Sequence, residues 1–220
     1  MDANDLKRQA AEAALAYVEG HEIIGVGAGT TVEHFIRAMG RADVRPRAAV
    51  AASDRTRVLL EAHGITPVGL ARELLPLPVY VDGADEIDAE RRLIKGGGGA
   101  LTREKVLASA SQLFVCIADE GKLVRTLGTF PLPVEVVPMA LHLVERELAL
   151  LGGEPRQRED YETDNANVIV DVHGFGFDDP LALELAINAI PGVVECGIFA
   201  RRTADVVLLG TGRGVRILRP

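Results

Sequence analysis

Residues 78–108 read PVYVDGADEIDAERRLIKGGGGALTREKVLA, and this stretch decides the fold. Pro78-Val79-Tyr80-Val81 is a β-branched and aromatic run that predicts a short buried strand, and Asp82-Gly83 ends it with a pair that favours a turn. Asp82 is thereby expected at the carboxyl end of a strand. Asp85, Glu86 and Asp88 come next, then Leu93-Ile94-Lys95, then the glycines Gly96 to Gly99, which feed directly into a segment of helical composition bearing Glu104. Strand, acidic turn, glycine loop and helix in succession predict a step of an open α/β sheet, and ligands bind along the carboxyl edge of such sheets. Glycines let main-chain N–H groups approach an anion closely, and a helix start adds the positive end of its dipole. Asp82, Asp85, Lys95 and Glu104 are therefore expected to converge on one small, charged, oxygen-rich ligand.

The same alternation continues outward. An amphipathic opening helix carries Leu6, Ala10, Ala13, Ala14, Tyr17 and Val18 at helical spacing, with Asn4 or Asp5 available as its cap. A strand over 22–26 turns at Gly27-Ala28-Gly29-Thr30-Thr31 into a helix bearing Val32, Phe35, Ile36 and Met39. Further strands are predicted at 48–52, 66–68, 79–81 and 113–117, with a helix over 55–63, which argues for a parallel sheet wrapped by helices. After Gly128 the texture changes. Pro131-Leu132-Pro133 marks a boundary, and the following order of strand, helix 139–151, strand, strand 168–172, helix 181–190 and strand 193–199 matches a ferredoxin-like βαββαβ unit. The run 206–209 and the hairpin-like tail 210–218 have no place in that unit and are returned to the first sheet. The expected class is α/β: a Rossmann-like parallel-sheet domain, 1–130 plus 204–220, with an inserted ferredoxin-like α+β domain, 131–203.

A net charge of −8 repels anions at long range and argues against a nucleic-acid surface, so any phosphate site must be local. The opening residues lack an apolar signal core, and no run of apolar residues is long enough to span a bilayer; the expectation is a cytoplasmic protein without a membrane partner. Cys116 and Cys196 lie in apolar runs without zinc spacing and read as free, buried thiols, and the five histidines show no ligand or triad spacing.

The loop beginning at Gly25 fails the dinucleotide pattern, because Thr30 stands where the third glycine is required, and it lacks the lysine of a P-loop. What remains suits a single phosphate held by N–H groups and the Thr30 and Thr31 hydroxyls; the plainer alternative is a tight turn capped by Thr30. For the acidic cluster the rival is a divalent cation on Asp82, Asp85 and Glu86, against which Lys95 competes for the same carboxylates. Asp88 and Glu90 beside Arg91 and Arg92 read as surface. The glycine run is either a flexible loop or an ordered ligand loop, and the entropy lost on ordering four glycines favours a functional reason for them.

These motifs resemble those of type A ribose-5-phosphate isomerases nearly end to end. The resemblance rests on Gly25 to Thr31, on Val81-Asp82-Gly83-Ala84-Asp85-Glu86, on Lys95 to Lys105, and on Ile117-Ala118-Asp119-Glu120-Gly121-Lys122. Phe130 to Val136, Thr163-Asp164-Asn165 and Ala189-Ile190-Pro191-Gly192 fit as well. The resemblance implies an aldose–ketose isomerisation of a small phosphosugar without metal or cofactor, and a homodimer. It assigns Glu104 as the base moving a proton between C2 and C1, Asp82 and Asp85 to ring opening and sugar hydroxyls, and Lys95 to the enediolate. Ala28, Gly29, Thr30 and Thr31 would hold phosphate with Lys122 and Lys7, while Gly83, Ala84, Gly96, Gly97 and Gly98 would line the substrate. The family often has Thr at the position of Ala28 and Ser at that of Thr30, and its Ser-rich second loop reads Ala52-Ser53-Asp54-Arg55-Thr56 here. An amino-sugar phosphate deaminase and a sugar-phosphate-sensing regulatory domain stay as alternatives; the intact Glu104, Asp82 and Asp85 argue against the sensor.

Overall fold

The computed structural model describes residues 2–220. In chain order its elements are α1 (Ala3–Ala13), α2 (Leu15–Val18), β1 (Ile23–Val26), α3 (Thr30–Ala42), β2 (Ala48–Ala51), α4 (Asp54–Ala62), β3 (Thr66–Pro67) and β4 (Leu77–Asp82). There follow β5 (Glu86–Ile87), β6 (Leu93–Ile94), α5 (Leu101–Ala110), β7 (Ser111–Asp119), β8 (Leu132–Val136), α6 (Leu141–Leu150) and β9 (Glu154–Gln157). The chain ends with β10 (Val168–His173), α7 (Pro180–Asn188), β11 (Val193–Cys196), β12 (Ile198–Phe199), β13 (Val206–Thr211) and β14 (Gly214–Leu218).

Contacts group the chain into two compact units: residues 1–84, 103–123 and 204–220 form one, and residues 85–102 and 124–203 the other. The first is built on a seven-stranded sheet of order β14-β13-β7-β4-β1-β2-β3, parallel throughout except for the β13–β14 hairpin. Counting only the parallel strands in chain order, this is the doubly wound order 3-2-1-4-5-6. The direction of winding reverses between β1 and β4, so the loops leaving those two strands open a crevice at the carboxyl edge.

Strand periodicity explains the two faces. Ile24 and Val26, Val79 and Val81, Val115 and Ile117, and Val206 and Leu208 alternate onto one face, where α1 supplies Ala10, Ala11 and Ala14 and α3 supplies Val32, Phe35, Ile36 and Met39. On the other face the rings of Tyr80 and Phe114 lie 5.2 Å apart. Gly25 makes room for the first of them, since a Cβ there would stand 2.9 Å from Tyr80 Cδ2. The opening helix is capped at Asp2, ahead of the Asn4 or Asp5 that the sequence suggested: the Asp2 carboxylate accepts from the Asp5 N–H, and Asp5 completes a capping box instead of acting as the cap.

The second unit holds a four-stranded antiparallel sheet of order β11-β8-β10-β9, which is the 4-1-3-2 arrangement of a ferredoxin-like βαββαβ unit, with α6 and α7. Its core joins Val134, Val136, Val144, Leu148, Val170, Val172 and Ile187. The strand predicted over 193–199 is divided at Gly197: β11 pairs with β8, whereas β12 pairs with β6 in a small antiparallel sheet β12-β6-β5. A side chain at Gly197 would overlap the Lys95 carbonyl, and that close approach lets the Gly197 carbonyl accept the Lys95 N–H at 2.9 Å.

Candidate active site

The expected site residues fall into two sets, one in each unit. In the first, the chain leaves β1 at Gly27, whose N–H donates to the Val81 carbonyl of β4 at 2.9 Å. A Cβ at Gly27 would overlap the Asp82 carboxyl group, so only glycine lets the turn pass here. Asp82 is fully buried at the end of β4. Its Oδ1 accepts the N–H of Ala28 at 3.0 Å and that of Gly83 at 2.7 Å, and its Oδ2 accepts the Tyr80 hydroxyl. A buried carboxylate needs such donors, and the turn supplies them. Burial drives the Tyr80 phenol well above its ordinary value of 10.0; the charges of Asp82 and then Glu104, and its bond to Asp82, push the same way. Tyr80 therefore stays a hydroxyl and a donor, and its ring feels both carboxylates.

Glu104 lies in the first turn of α5 and is 5% exposed. Gly29, at φ +93°, precedes α3 without a side-chain cap; Thr30 is the first helical residue and does not cap the turn. Its hydroxyl instead accepts from Lys7 Nζ at 3.1 Å, which brings α1 to the loop. Thr31 is buried, Ala28 half-buried, and the two exposed positions are Gly29 and Thr30. The Thr56 hydroxyl donates to the Gly27 carbonyl at 2.8 Å, tying the turn down from α4. Lys122 ends the helical turn Glu120–Lys122 that follows β7, the strand beside β4, so it belongs to the same carboxyl edge.

In the second set, the Asp85 Oδ2 accepts the Gly97 N–H at 2.8 Å. Lys95 is buried, with its Nζ 5.6 Å from the centre of the Phe199 ring. Gly96 and Gly99 adopt φ of +105° and +79°, and the Gly99 N–H closes a turn on the Gly96 carbonyl at 2.8 Å. The loop is thus an ordered turn. Behind it, Arg158 donates to the carbonyls of Gly97 and Gly96 at 3.2 and 3.3 Å, and the Tyr161 hydroxyl to that of Gly98 at 2.8 Å.

The remaining acids have other duties. Glu86, a candidate cation ligand in the sequence, accepts the N–H groups of Gly128 and Phe130, each at 2.7 Å, which removes it from the rival reading. Asp88 is 1% exposed and not at the surface as expected; it holds Arg92 through Nε at 2.6 Å and the main-chain N–H at 2.8 Å. Glu135, fully buried on β8, accepts from Thr163 at 2.8 Å, Asn165 at 3.0 Å, Asn167 at 2.8 Å and the Thr102 hydroxyl at the start of α5. Tyr80, Glu135, Arg158 and Tyr161 were not expected at the site. Glu135 left one sign, a lone charge at an inward position of the apolar strand 132–136.

Residues 48–214 match the family model of ribose 5-phosphate isomerase A, or phosphoriboisomerase A. The chain belongs to the ribose 5-phosphate isomerase A family. A ribose-5-phosphate isomerase A of Bordetella petrii is 55% identical over 218 residues, 97% of this chain and 96% of the relative. One from Legionella pneumophila is 50% identical over 216 residues, 98% of this chain and 100% of the relative. Among solved structures, the ribose 5-phosphate isomerase A of Neisseria gonorrhoeae superposes with a TM-score of 0.97 at 49% identity, covering 100% of this chain and 98% of its own. A D-ribose-5-phosphate isomerase solved in complex with phospho-erythronic acid gives a TM-score of 0.94 at 37% identity over 100% of both chains. Both units thus carry the fold of ribose 5-phosphate isomerases A.

Proposed function

We propose that the protein interconverts D-ribose 5-phosphate and D-ribulose 5-phosphate through an enediolate. The observation that carries the chemistry is the burial of two carboxylates in the first unit: Asp82, which accepts two N–H groups and the Tyr80 hydroxyl, and Glu104, buried in the first turn of α5. Glu104 takes the proton from C2 of the aldose; the electron pair moves into the C1–C2 bond and onto O1. The carboxylic acid so formed returns the proton to C1, while the O2 proton passes to O1, leaving the ketose. Such a step needs one base within reach of both carbons and cationic or N–H donors for the oxyanion. Lys95 and the glycine loop supply the donors.

The two aspartates suit different tasks. Asp82 already accepts two N–H groups and a hydroxyl, which suits a side chain that orients its surroundings. Asp85 accepts one N–H through Oδ2 and is half-buried, which suits contact with sugar hydroxyls and the ring oxygen. Phosphate is assigned to the turn 28–31 with Lys7 and Lys122, where Lys7 already reaches Thr30. A homodimer in the cytoplasm completes the proposal, supported by apolar side chains left exposed on α6 and α7, among them Leu143, Leu150 and Leu185.

The test is the purified protein with ribose 5-phosphate before and after exhaustive chelation, following ketose formation. Equal rates are expected. Activity lost to the chelator and restored by magnesium overturns the metal-free scheme, and no ketose under either condition overturns the isomerase reading in favour of a deaminase or a sensor.

A further inference from the structure

The glycine loop presents its carbonyl groups to the hairpin loop 158–167 between β9 and β10. Arg158 is fixed first: its guanidinium forms a fork on Asp171, Nε to Oδ2 at 2.8 Å and one terminal nitrogen to Oδ1 at 2.6 Å, and its N–H donates to the Ile169 carbonyl at 2.8 Å. It then reaches the carbonyls of Gly96 and Gly97, while its Cζ stands 5.2 Å from the centre of the Tyr161 ring, whose hydroxyl takes the Gly98 carbonyl. The far end of the same hairpin loop is anchored on Glu135 through Thr163, Asn165 and Asn167.

Peptide planarity turns these bonds into a direction. In a trans peptide the carbonyl of one residue and the N–H of the next point opposite ways. The Gly96 carbonyl faces Arg158, and the Gly97 N–H accordingly points away from it, to Asp85. The Gly97 carbonyl also faces Arg158, so the Gly98 N–H points away as well. Among the described residues none accepts from it, Gly98 is exposed, and a Cβ there would meet nothing within 4 Å. Tyr161 also sets the loop's shape, since a side chain at Gly99 would overlap its hydroxyl.

We propose that Arg158 and Tyr161 are positioning residues of the reaction: by holding the carbonyls of Gly96, Gly97 and Gly98 from behind, they aim the Gly98 N–H at the oxyanion that develops on the sugar. The proposal rests on the isomerase reading and adds the element that orders its donor. A preoriented N–H stabilises the charge of the transition state more than the neutral ground state, so its loss lowers kcat and leaves substrate binding nearly unchanged.

The test uses the full chain with Tyr161→Phe, which keeps the ring on Arg158, with Arg158→Lys, and with both. The readouts are kcat and KM for ribose 5-phosphate, affinity for phospho-erythronic acid, whose planar carboxylate imitates an enediolate, affinity for inorganic phosphate, and amide exchange at 97–99. Each single variant is expected to lose about 3- to 10-fold in kcat, the scale of one hydrogen bond, with KM within about twofold. Phospho-erythronic acid should weaken by the same factor as kcat, phosphate should bind as before, and the Gly98 amide should exchange faster. The double variant should lose less than the product of the two, because both act through one loop. Unchanged kcat and unchanged phospho-erythronic acid affinity in active, folded single variants overturn the proposal, as does a loss shared equally by phosphate. A wild-type protein that forms no ketose sinks the isomerase reading itself, which separates the two failures.

Discussion

The two glycine turns of this molecule each give an N–H to a carboxylate, and they differ in what holds their carbonyl groups. At residues 27–31 the Ala28 amide donates to the Asp82 carboxylate, which stands at the end of the neighbouring strand, and the one carbonyl held by a side chain is that of Gly27, by the nearby Thr56 hydroxyl. At residues 96–99 the Gly97 amide likewise donates to the Asp85 carboxylate, but three carbonyls in a row are held, by Arg158 and Tyr161, more than sixty positions further along the chain. The first turn is packed against a charge and tolerates no Cβ at Gly27; the second is clamped from behind and keeps open space at Gly98. A buried acid can thus organise a loop directly, or a distant strap can do so while leaving a donor free for a ligand. The difference predicts how each region fails.

The largest expected effect is at the crowded turn. Gly27→Ala forces a methyl group onto the Asp82 carboxyl, and either the turn or the acid must shift. Misplacement of catalytic groups by about 1 Å costs on the order of 10²-fold in rate, so kcat/KM should fall by at least that factor in a protein whose circular dichroism shows it folded. Near-normal turnover would break the contrast between the two turns.

At the strap, Glu135→Gln leaves an amide among groups that all donate: Thr102, Thr163, Asn165 and Asn167. One mismatched donor pair in a buried network costs about 2 kcal/mol, which should lower the urea midpoint; an unchanged midpoint would mean that the strap is not anchored there.

Tyr80→Phe removes a single donor from Asp82 and sharpens the account of the first turn. A drop in kcat of about tenfold is expected, the upper scale of one hydrogen bond. The pH dependence carries a separate sign. A phenol whose pKa is raised on folding contributes stability that is complete below its ordinary value of 10.0 and is lost as pH rises toward the folded value. The Phe variant should therefore show a shallower loss of Tm above that pH than the wild type.

The smallest effect concerns His34, beside the first turn on α3. Burial, then Arg37, Arg8 and Lys7, lower its pKa below 6.5. Its contribution is complete above that value and declines as pH falls through the lowered one, because the unfolded chain binds the proton more readily. His34→Gln should flatten the acid side of the Tm profile slightly, and a steeper acid side would contradict the sign.

Much of this was legible in order of residues because it is local. β-Branched strands followed by glycine turns mark the carboxyl edge of a parallel sheet, and Asp82 declares itself by standing at a strand end. The βαββαβ unit follows from alternation alone, and its 4-1-3-2 order emerged as the fold class required. What escaped was non-local or disguised. Tyr80 reads as one more strand hydrophobe until its hydroxyl is seen on Asp82. Arg158 and Tyr161 lie in a polar, unpatterned loop, and nothing near them in the chain mentions the glycines they hold. Asp88 looks solvated among charges, yet its partner Arg92 lets it be buried.

The central claim is that Glu104 moves the proton. The measurement that tests it most directly is exchange of the substrate C2 hydrogen with solvent deuterium, followed by proton NMR in the wild type and in Glu104→Gln, with the affinity of phospho-erythronic acid as a check on binding. Glutamine keeps the size and hydrogen bonding of the side chain and loses proton acceptance. The account predicts that exchange and kcat fall together by at least about 10²-fold, the scale of general base catalysis, while the Glu104→Gln protein still binds the acid. Exchange at a near-normal rate in Glu104→Gln would contradict it and move the base to Asp82 or Asp85.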